Sequence, residues 1–109
     1  MKNQKYKTIV TTANSEKESI LIRDSILSKR LSPCIQIVKN VESSYIWNNQ
    51  IATDREELIF IKTVDRNQRL IIKEIEAIHS YENPQIICYN FDILTDKYAE
   101  WFLESISDK

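Results

Sequence analysis

Few side chains in this sequence can bind a metal ion or attack a substrate. The chain has one histidine, His79, and two cysteines, Cys34 and Cys88. A firm copper or zinc site usually takes several imidazole or thiolate ligands. A catalytic nucleophile needs a base beside it, and the sequence has no Ser–His or Cys–His spacing of that kind. The residue inventory therefore predicts weak metal binding at most, and it argues against an enzyme.

His79 lies at the end of a predicted helix, and two interpretations of it stay open. In the first, the imidazole stabilises the last carbonyl groups of the helix through a favourable interaction with the helix dipole. In the second, it is a ligand for a weakly bound divalent ion. Cys34 and Cys88 lie inside apolar strand patterns, and without a CxxC pair we predict buried, reduced thiols rather than a disulfide.

An acidic patch offers oxygen ligands to a hard cation. It contains Glu42, Asp54, Glu56 and Glu57. Adjacent residues of a strand point to opposite faces, so Glu56 and Glu57 cannot chelate one ion together from a single chain. We therefore favour a solvated or inter-subunit ion-pair role for these carboxylates.

Composition excludes several other classes of protein. Fifteen basic and sixteen acidic residues leave a formal net charge of −1. Without a basic cluster, the chain is not expected to bind nucleic acid or an anionic membrane surface. It has no glycine, which a phosphate-binding loop needs where backbone approaches phosphate.

No signal peptide or membrane span is predicted, so we expect one cytoplasmic domain over residues 1–109.

A predicted hairpin between Cys34 and Thr63 is the element around which the other residues are organised. Apolar and polar residues alternate before the dipeptide Asn48-Asn49, and a second extended segment follows it. Asparagine tolerates positive φ, so the dipeptide predicts a type I′ turn. The resulting register pairs Trp47 with Gln50, Tyr45 with Ala52, and Ile37 with Phe60.

This hairpin is too long for its own domain. Each arm has about 14 residues at about 3.3 Å per residue, which gives about 45 Å, whereas a domain of ~100 residues has a radius of gyration of about 13 Å. An exposed aromatic strand edge invites aggregation, so other copies of the chain are expected to cover it. We predict an oligomer whose interface includes Tyr45, Ile46, Trp47 and Ile51.

The first part of the chain predicts a strand followed by a helix. Tyr6 to Thr12 has the pattern of a strand. Ser15 and Glu18 form a capping-box pair that opens a helix running to about Leu31.

The second part of the chain predicts a helix, a strand and a last helix. A helical stripe of Ile71, Ile75 and Ile78 ends near His79. A short apolar strand follows Pro84, and Thr95 caps a terminal helix. The order βα-ββ-αβ plus one helix predicts an α+β, ferredoxin-like sandwich, in which both crossover helices lie on one face of the sheet.

Four sequence segments together carry a family resemblance. They are Ser44-Tyr45-Ile46-Trp47, then Glu56-Glu57 leading to Ile61-Lys62-Thr63, then His79-Ser80-Tyr81-Glu82-Asn83-Pro84-Gln85-Ile86, and Tyr98-Ala99-Glu100-Trp101. In this order and at this spacing they resemble the divalent-cation tolerance protein CutA family over nearly the whole chain. The resemblance implies a homotrimer of ferredoxin-like subunits, similar in design to the PII signalling proteins, whose long hairpins pair across subunits. It also implies a role in tolerance of copper and other divalent ions.

The resemblance implies metal-site positions as well. Bacterial members often have a cysteine at the end of the first strand and two adjacent histidines after the second helix. The matching positions here are Thr11, His79 and Ser80, of which only His79 supplies a strong ligand. Copper or another divalent cation is therefore expected to bind weakly.

A cleft between subunits is the other implied site. In the family's architecture Lys62 lies near Tyr81 and Glu82. Lys62 and Glu82 then either form a structural ion pair or line a pocket for a small anion. By analogy with PII, the alternative function is a sensor that binds a small ligand in this cleft and signals to a partner protein.

Overall fold

One antiparallel sheet with helices on both faces makes up the fold. A computed structural model describes residues 4–106. The strands are β1 (Tyr6–Ala13), β2 (Cys34–Trp47), β3 (Gln50–Val64) and β4 (Ile86–Phe91), in the sheet order β2-β3-β1-β4. The helices are α1 (Glu16–Ser28), α2 (Gln68–Ile78) and α3 (Asp96–Glu104), with a 3-10 turn at Asp65–Asn67. The predicted α+β, ferredoxin-like order with an extra C-terminal helix is confirmed.

Helices α1 and α2 cover one face of the sheet, as predicted. Ile9 and Ile61 of the sheet belong to one core with Ile22 of α1 and with Ile71 and Ile75 of α2. The i, i+4 spacing places Ile71 and Ile75 on one stripe of α2, and both are fully buried. Burying an aliphatic side chain of this size contributes about 1.5–3 kcal/mol, so these contacts hold the crossover helices on the sheet.

Helix α3 packs on the opposite face, at one end of the sheet. Phe102 belongs to a second, smaller core with Tyr6 and Val64. The rings of Tyr6 and Phe102 meet edge to face with their centroids 5.4 Å apart. Beyond α3 this face exposes apolar side chains, among them Val38 and Tyr89, and we call it the open face.

Strand β2 contains a one-residue β-bulge. Val38 pairs with Leu58 and Val41 pairs with Glu56, so two residues of β2 lie opposite one residue of β3. Asn40, inside the bulge, has a φ of 60°. Asparagine adopts this left-handed conformation more readily than most other residues that carry a Cβ.

The bulge moves the outer half of β2 to the other face of the sheet. Tyr45 pairs with Ala52 as predicted, but Ile37 pairs with Ile59, so its predicted pairing with Phe60 is wrong. Ala52 and Ile59 are an odd number of positions apart and therefore point to opposite faces. Tyr45 consequently lies on the open face, while Ile37 packs against the core under the helices.

The turn and the length of the hairpin match the prediction. Asn48 and Asn49 have φ values of 52° and 63°, the signs that a type I′ turn requires, and Trp47 pairs with Gln50. The arms contain 14 and 15 residues, and the molecule measures 46 × 24 × 22 Å. The hairpin therefore accounts for the length of the molecule.

Helix α1 ends in a Schellman motif without glycine. Arg30 has a φ of 55°, and the N–H groups of Arg30 and Leu31 bond back to carbonyls of the last helical turn at 2.9 and 3.2 Å. The Arg30 guanidinium donates to the carbonyls of Glu104 and Ser105 at the end of α3, at 2.9 and 3.2 Å. The helix therefore stops at Ser28, before the predicted Leu31, and Arg30 ties its end to α3.

The predicted capping box of α1 forms only in part, and a 3-10 turn precedes α2. Ser15 Oγ accepts the Glu18 N–H at 3.2 Å, but the Glu18 carboxylate bonds to the Ser80 N–H at 2.8 Å. Only half of the predicted capping box is therefore formed. Asp65 begins the 3-10 turn, and α2 itself starts at Gln68.

Both cysteines are free, as predicted, but neither is fully buried. Cys34 is half-buried and Cys88 is exposed. The apolar run around Cys88 predicts a buried thiol, yet β4 lies at the edge of the sheet and pairs only with β1. The predicted burial of Cys88 is therefore wrong.

The bulge generates the first testable prediction. Asn40→Val forces a β-branched residue into the left-handed region and should lower the free energy of unfolding by about 1–3 kcal/mol. Asn40→Gly is the matched control, because glycine accepts positive φ without steric cost, and it should be nearly neutral. Urea denaturation measures both. Equal stability of the two variants would contradict the assigned bulge.

Candidate functional site

A cleft of about 910 Å³ lies between the outer half of the hairpin and the segment that follows α2. The hairpin contributes residues 43–47 with Asp54 and Glu56, and the segment contributes residues 81–85. Among its lining residues are three carboxylates, Asp54, Glu56 and Glu82, and no lysine, arginine or histidine. We call it the acidic cleft.

Two tyrosine hydroxyls hold carboxylates in the acidic cleft. Tyr81 donates to Glu56 Oε2 at 2.7 Å, and Tyr45 donates to Asp54 Oδ2. Burial, reinforced by the hydrogen bond to Glu56, raises the pKa of Tyr81 well above its usual value. The hydrogen bond to Asp54 raises the pKa of Tyr45. Both phenols therefore stay protonated and act as donors to the neighbouring carboxylates.

His79 anchors the segment that lines the cleft. Its side chain is fully buried, with Nε2 2.5 Å from the Thr12 carbonyl oxygen. Its Nδ1 accepts the Tyr81 N–H at 3.0 Å. A carbonyl can only accept, so Nε2 carries the proton. The ring therefore bonds to β1, and the interpretation that it stabilises the last carbonyls of α2 is wrong.

Glu18 completes this buried arrangement, which we call the His79 network (Thr12, Glu18, His79, Ser80 and Tyr81). Glu18 Oε1 accepts the Ser80 N–H at 2.8 Å. Its Oε2 is buried without a hydrogen-bond partner and lies 3.8 Å from His79 Nδ1. A buried polar atom left unpaired costs about 1–3 kcal/mol. The network therefore fixes the segment against β1 and α1, with one carboxylate oxygen still unused.

The network leaves His79 little freedom as a metal ligand. An ion at Nδ1 has to displace the Tyr81 N–H, and an ion at Nε2 has to displace the Thr12 carbonyl. Thr11 is buried in β1, and Ser80 points its backbone N–H at Glu18. Within residues 4–106, no group of three or more His, Cys, Asp or Glu side chains is placed to hold a metal ion.

Of the three residues predicted for the inter-subunit cleft, two line the acidic cleft and one does not. Tyr81 and Glu82 belong to its lining. Lys62 lies in β3 opposite Thr8 and Cys34, away from the acidic cleft of its own chain. No ion pair between Lys62 and Glu82 forms within the described chain. Their pairing between subunits stays a prediction.

The residues predicted for the trimer interface lie at the outer end of the hairpin. In the single chain the exposed fractions are 42% for Tyr45, 62% for Trp47 and 79% for Ile51. Large apolar side chains exposed together are typical of a surface that another molecule covers. The trimer itself stays a prediction.

The two adjacent glutamates occupy successive positions of β3 and so point to opposite faces of the strand, as predicted. Both border a smaller cavity of about 290 Å³ with Lys39 and Arg55, and Glu56 also lines the acidic cleft. Arg55 also pairs with Glu42 at 3.2 Å.

Thr12 and Glu18 are site residues that no local sequence signal identifies. In the sequence Glu18 has the position of a helix-capping residue. Ser80, whose backbone N–H it accepts in the structure, is 62 positions away. Thr12 contributes only a backbone carbonyl. The bulge in β2 has no clear sequence signal either, because apolar residues keep the odd positions on both sides of it, at Ile37 and at Val41.

Comparison with known proteins decides the family. Residues 7–105 match the family model of the CutA1 divalent ion tolerance protein. This chain belongs to the CutA family. The predicted family is thereby confirmed.

Several CutA relatives define how far the similarity reaches. Protein CutA 1, chloroplastic, of Oryza sativa subsp. japonica is 35% identical over 96 residues, which cover 88% of this chain and 54% of that protein. The chain thus spans about half the length of this curated relative. The divalent-cation tolerance protein CutA of Thermotoga maritima is 26% identical over 98 residues, 90% of this chain and 96% of that protein. The crystal structure of CutA1 from Oryza sativa superposes with a TM-score of 0.91 at 28% identity and covers 96% of each chain.

The raised pKa of Tyr81 predicts how stability depends on pH. A tyrosine whose pKa is higher in the folded state stabilises the fold below its unfolded pKa of about 10, and this contribution is lost as the pH rises further. The melting temperature of the wild type should therefore fall between about pH 10 and 12. Tyr81→Phe should fall less steeply over the same range.

Glu56→Gln is the partner variant for this titration. It removes the carboxylate that accepts the Tyr81 hydroxyl and helps to raise the pKa of Tyr81, so the melting temperature should again fall less steeply than in the wild type. Differential scanning calorimetry measures all three proteins. A Tyr81→Phe protein that follows the wild-type slope would contradict the assigned hydrogen bond to Glu56.

Proposed function

We propose that this CutA chain acts in the tolerance of divalent cations as a homotrimer that binds metal ions weakly and catalyses no reaction. The family to which it belongs is described as a divalent ion tolerance protein, and the relative from Thermotoga maritima has the same kind of name. The observation that carries the proposal is the His79 network, in which the only histidine is already engaged at both ring nitrogens.

The exposed apolar surface supports self-assembly. The open face exposes Val38, Ile87 and Tyr89 on its inner part, and Trp47 on the hairpin. Strands β2 and β4 are both edge strands. Such edges and apolar faces are usually covered in stable proteins, and further copies of the same chain cover them without need of another partner. A cyclic trimer closes the assembly.

The unused oxygen of Glu18 supports weak metal binding. His79 Nδ1 and Glu18 Oε2 are 3.8 Å apart, so an ion between them gains one imidazole and one carboxylate ligand. Nitrogen and oxygen donors of this kind suit Cu(II) and Zn(II). The ion must displace the Tyr81 N–H and enter a buried position, so its affinity is low. We expect micromolar or weaker binding, equivalent to about −8 kcal/mol or less favourable.

A small-ligand sensor is the second candidate function. The acidic cleft has a volume of about 910 Å³, within the range of pockets that hold small molecules. Its three carboxylates, with no basic residue in the lining, favour a cationic ligand over an anion within one chain. Calorimetry with small amines, nucleotides and small carboxylates distinguishes this function from metal binding.

In the part of the chain that the structure describes, no helix is long and apolar enough to cross a membrane. The cytoplasmic location stays a prediction of the sequence.

The proposed trimer leads to a prediction for Trp47, at the tip of the hairpin. Trp47→Ala should weaken the trimer, because a large aromatic truncation at a covered site costs about 3–5 kcal/mol. Light scattering over micromolar concentrations should show the wild type at three times the chain mass and the variant at lower mass. Leu94→Ala, which removes an exposed apolar side chain outside the hairpin, is the control. A monomeric wild type would end the proposal.

Copper binding provides a second prediction. Isothermal titration calorimetry with Cu(II) should give micromolar or weaker affinity, and both His79→Ala and Glu18→Gln should weaken it further. Glu76→Gln, an exposed acid on α2, is the control and should bind as the wild type does. Nanomolar binding that survives His79→Ala would refute the assignment and direct attention to the cysteines or the hairpin carboxylates.

A further inference from the structure

Tyr81 connects the His79 network to the outer half of the hairpin. Its backbone N–H donates to His79 Nδ1 at 3.0 Å, and its hydroxyl donates to Glu56 Oε2 of β3 at 2.7 Å. Its ring also packs against the imidazole, with the two ring centroids 4.7 Å apart. A single residue is therefore bonded at its backbone to a proposed metal ligand and at its side chain to the hairpin.

The separation of His79 and Glu18 suits one bridging ion. Glu18 Oε2 is buried without a hydrogen-bond partner and lies 3.8 Å from His79 Nδ1. Imidazole nitrogen and carboxylate oxygen bind Zn(II) at about 2.0–2.2 Å, so two such atoms on one ion lie at most about 4.3 Å apart. An ion can therefore bridge the two side chains in the positions that the structure shows.

Tyr81 has to move before His79 Nδ1 can bind an ion. The lone pair of this nitrogen accepts the Tyr81 N–H, and it cannot accept a hydrogen bond and bind an ion at the same time. Hydrogen bonds between hydroxyl and carboxylate oxygens extend only to about 3.0 Å, so a shift of about 1 Å breaks one. Displacement of the Tyr81 backbone therefore also breaks the bond from its hydroxyl to Glu56.

We infer that binding of a divalent ion between His79 and Glu18 releases Tyr81 from Glu56, so that the His79 network senses the ion and transmits its binding to the hairpin. The inference rests on the proposed metal binding and gives it a signalling role. Without the ion, Tyr81 is bonded to both His79 and Glu56, and with the ion it is bonded to neither. Coupling of this kind is reciprocal, so weakening the bond to Glu56 must strengthen the binding of the ion.

Removal of one hydroxyl tests the coupling. Tyr81→Phe keeps the ring and the backbone N–H but deletes the bond to Glu56, which the ion otherwise has to break. The affinity for Cu(II), measured by isothermal titration calorimetry, should therefore rise by about threefold to tenfold, the effect of one hydrogen bond. Circular dichroism checks that the variant is folded.

Tyr45→Phe is the matched control. The Tyr45 hydroxyl also donates to a carboxylate of the acidic cleft, that of Asp54, but Tyr45 does not belong to the His79 network. This variant should therefore bind Cu(II) as the wild type does. A Tyr81→Phe protein that binds Cu(II) no more tightly than Tyr45→Phe overturns the inference.

A Zn(II) titration followed by nuclear magnetic resonance separates the coupling from metal binding itself. In the wild type, the signals of the His79 ring, the Tyr81 N–H and the Glu56 carboxylate should shift together. The Asp54 carboxylate, which accepts from Tyr45 instead, should keep its signal. A His79 ring that responds while Tyr81 and Glu56 do not overturns the coupling and leaves the proposed metal binding standing. A His79 ring that does not respond to millimolar Zn(II) removes both.

Discussion

The β-bulge at Lys39 and Asn40 is the constraint on which the functional surface depends. A strand has a period of two, so one inserted residue transfers everything beyond it to the opposite face. Ile37 therefore packs under the helices while Tyr45 lies on the open face. Without the bulge, the aromatic residues of the outer hairpin would point to the side of α1 and α2. The acidic cleft forms because these aromatic side chains point to the open face instead.

The His79 network supplies the other wall of the acidic cleft. A loop after a helix is usually the mobile part of a fold, but here Ser80 and Tyr81 donate their backbone N–H groups to Glu18 and to His79. The ring of His79 is in turn fixed to Thr12 of β1. The same contacts that position Tyr81 over Glu56 occupy the imidazole. The fixed position of this wall and the weak metal binding that we propose therefore have one physical cause.

Local periodicity predicted the elements of this fold well, because each element has a strong pattern of its own. The stripe of Ile71 and Ile75 and the dipeptide Asn48-Asn49 both formed what their spacing indicated. Contacts between distant segments were not predictable in this way. The Glu18 carboxylate has a satisfactory local partner in the capping box, and only tertiary packing brings Ser80 close enough to take its place. The exposure of Cys88 likewise depends on sheet order, which its own apolar neighbours do not reveal.

Cross-strand nuclear Overhauser effects along the hairpin test the central claim most directly. The bulge predicts that Ile37 lies opposite Ile59 while Tyr45 remains opposite Ala52, so backbone contacts should follow these two pairs on either side of Asn40. An uninterrupted hairpin closed by the same turn would place Ile37 opposite Phe60. Contacts between Ile37 and Ile59 are the predicted result. Contacts between Ile37 and Phe60 would contradict the bulge, and with it the position of Tyr45 and Trp47 on the open face.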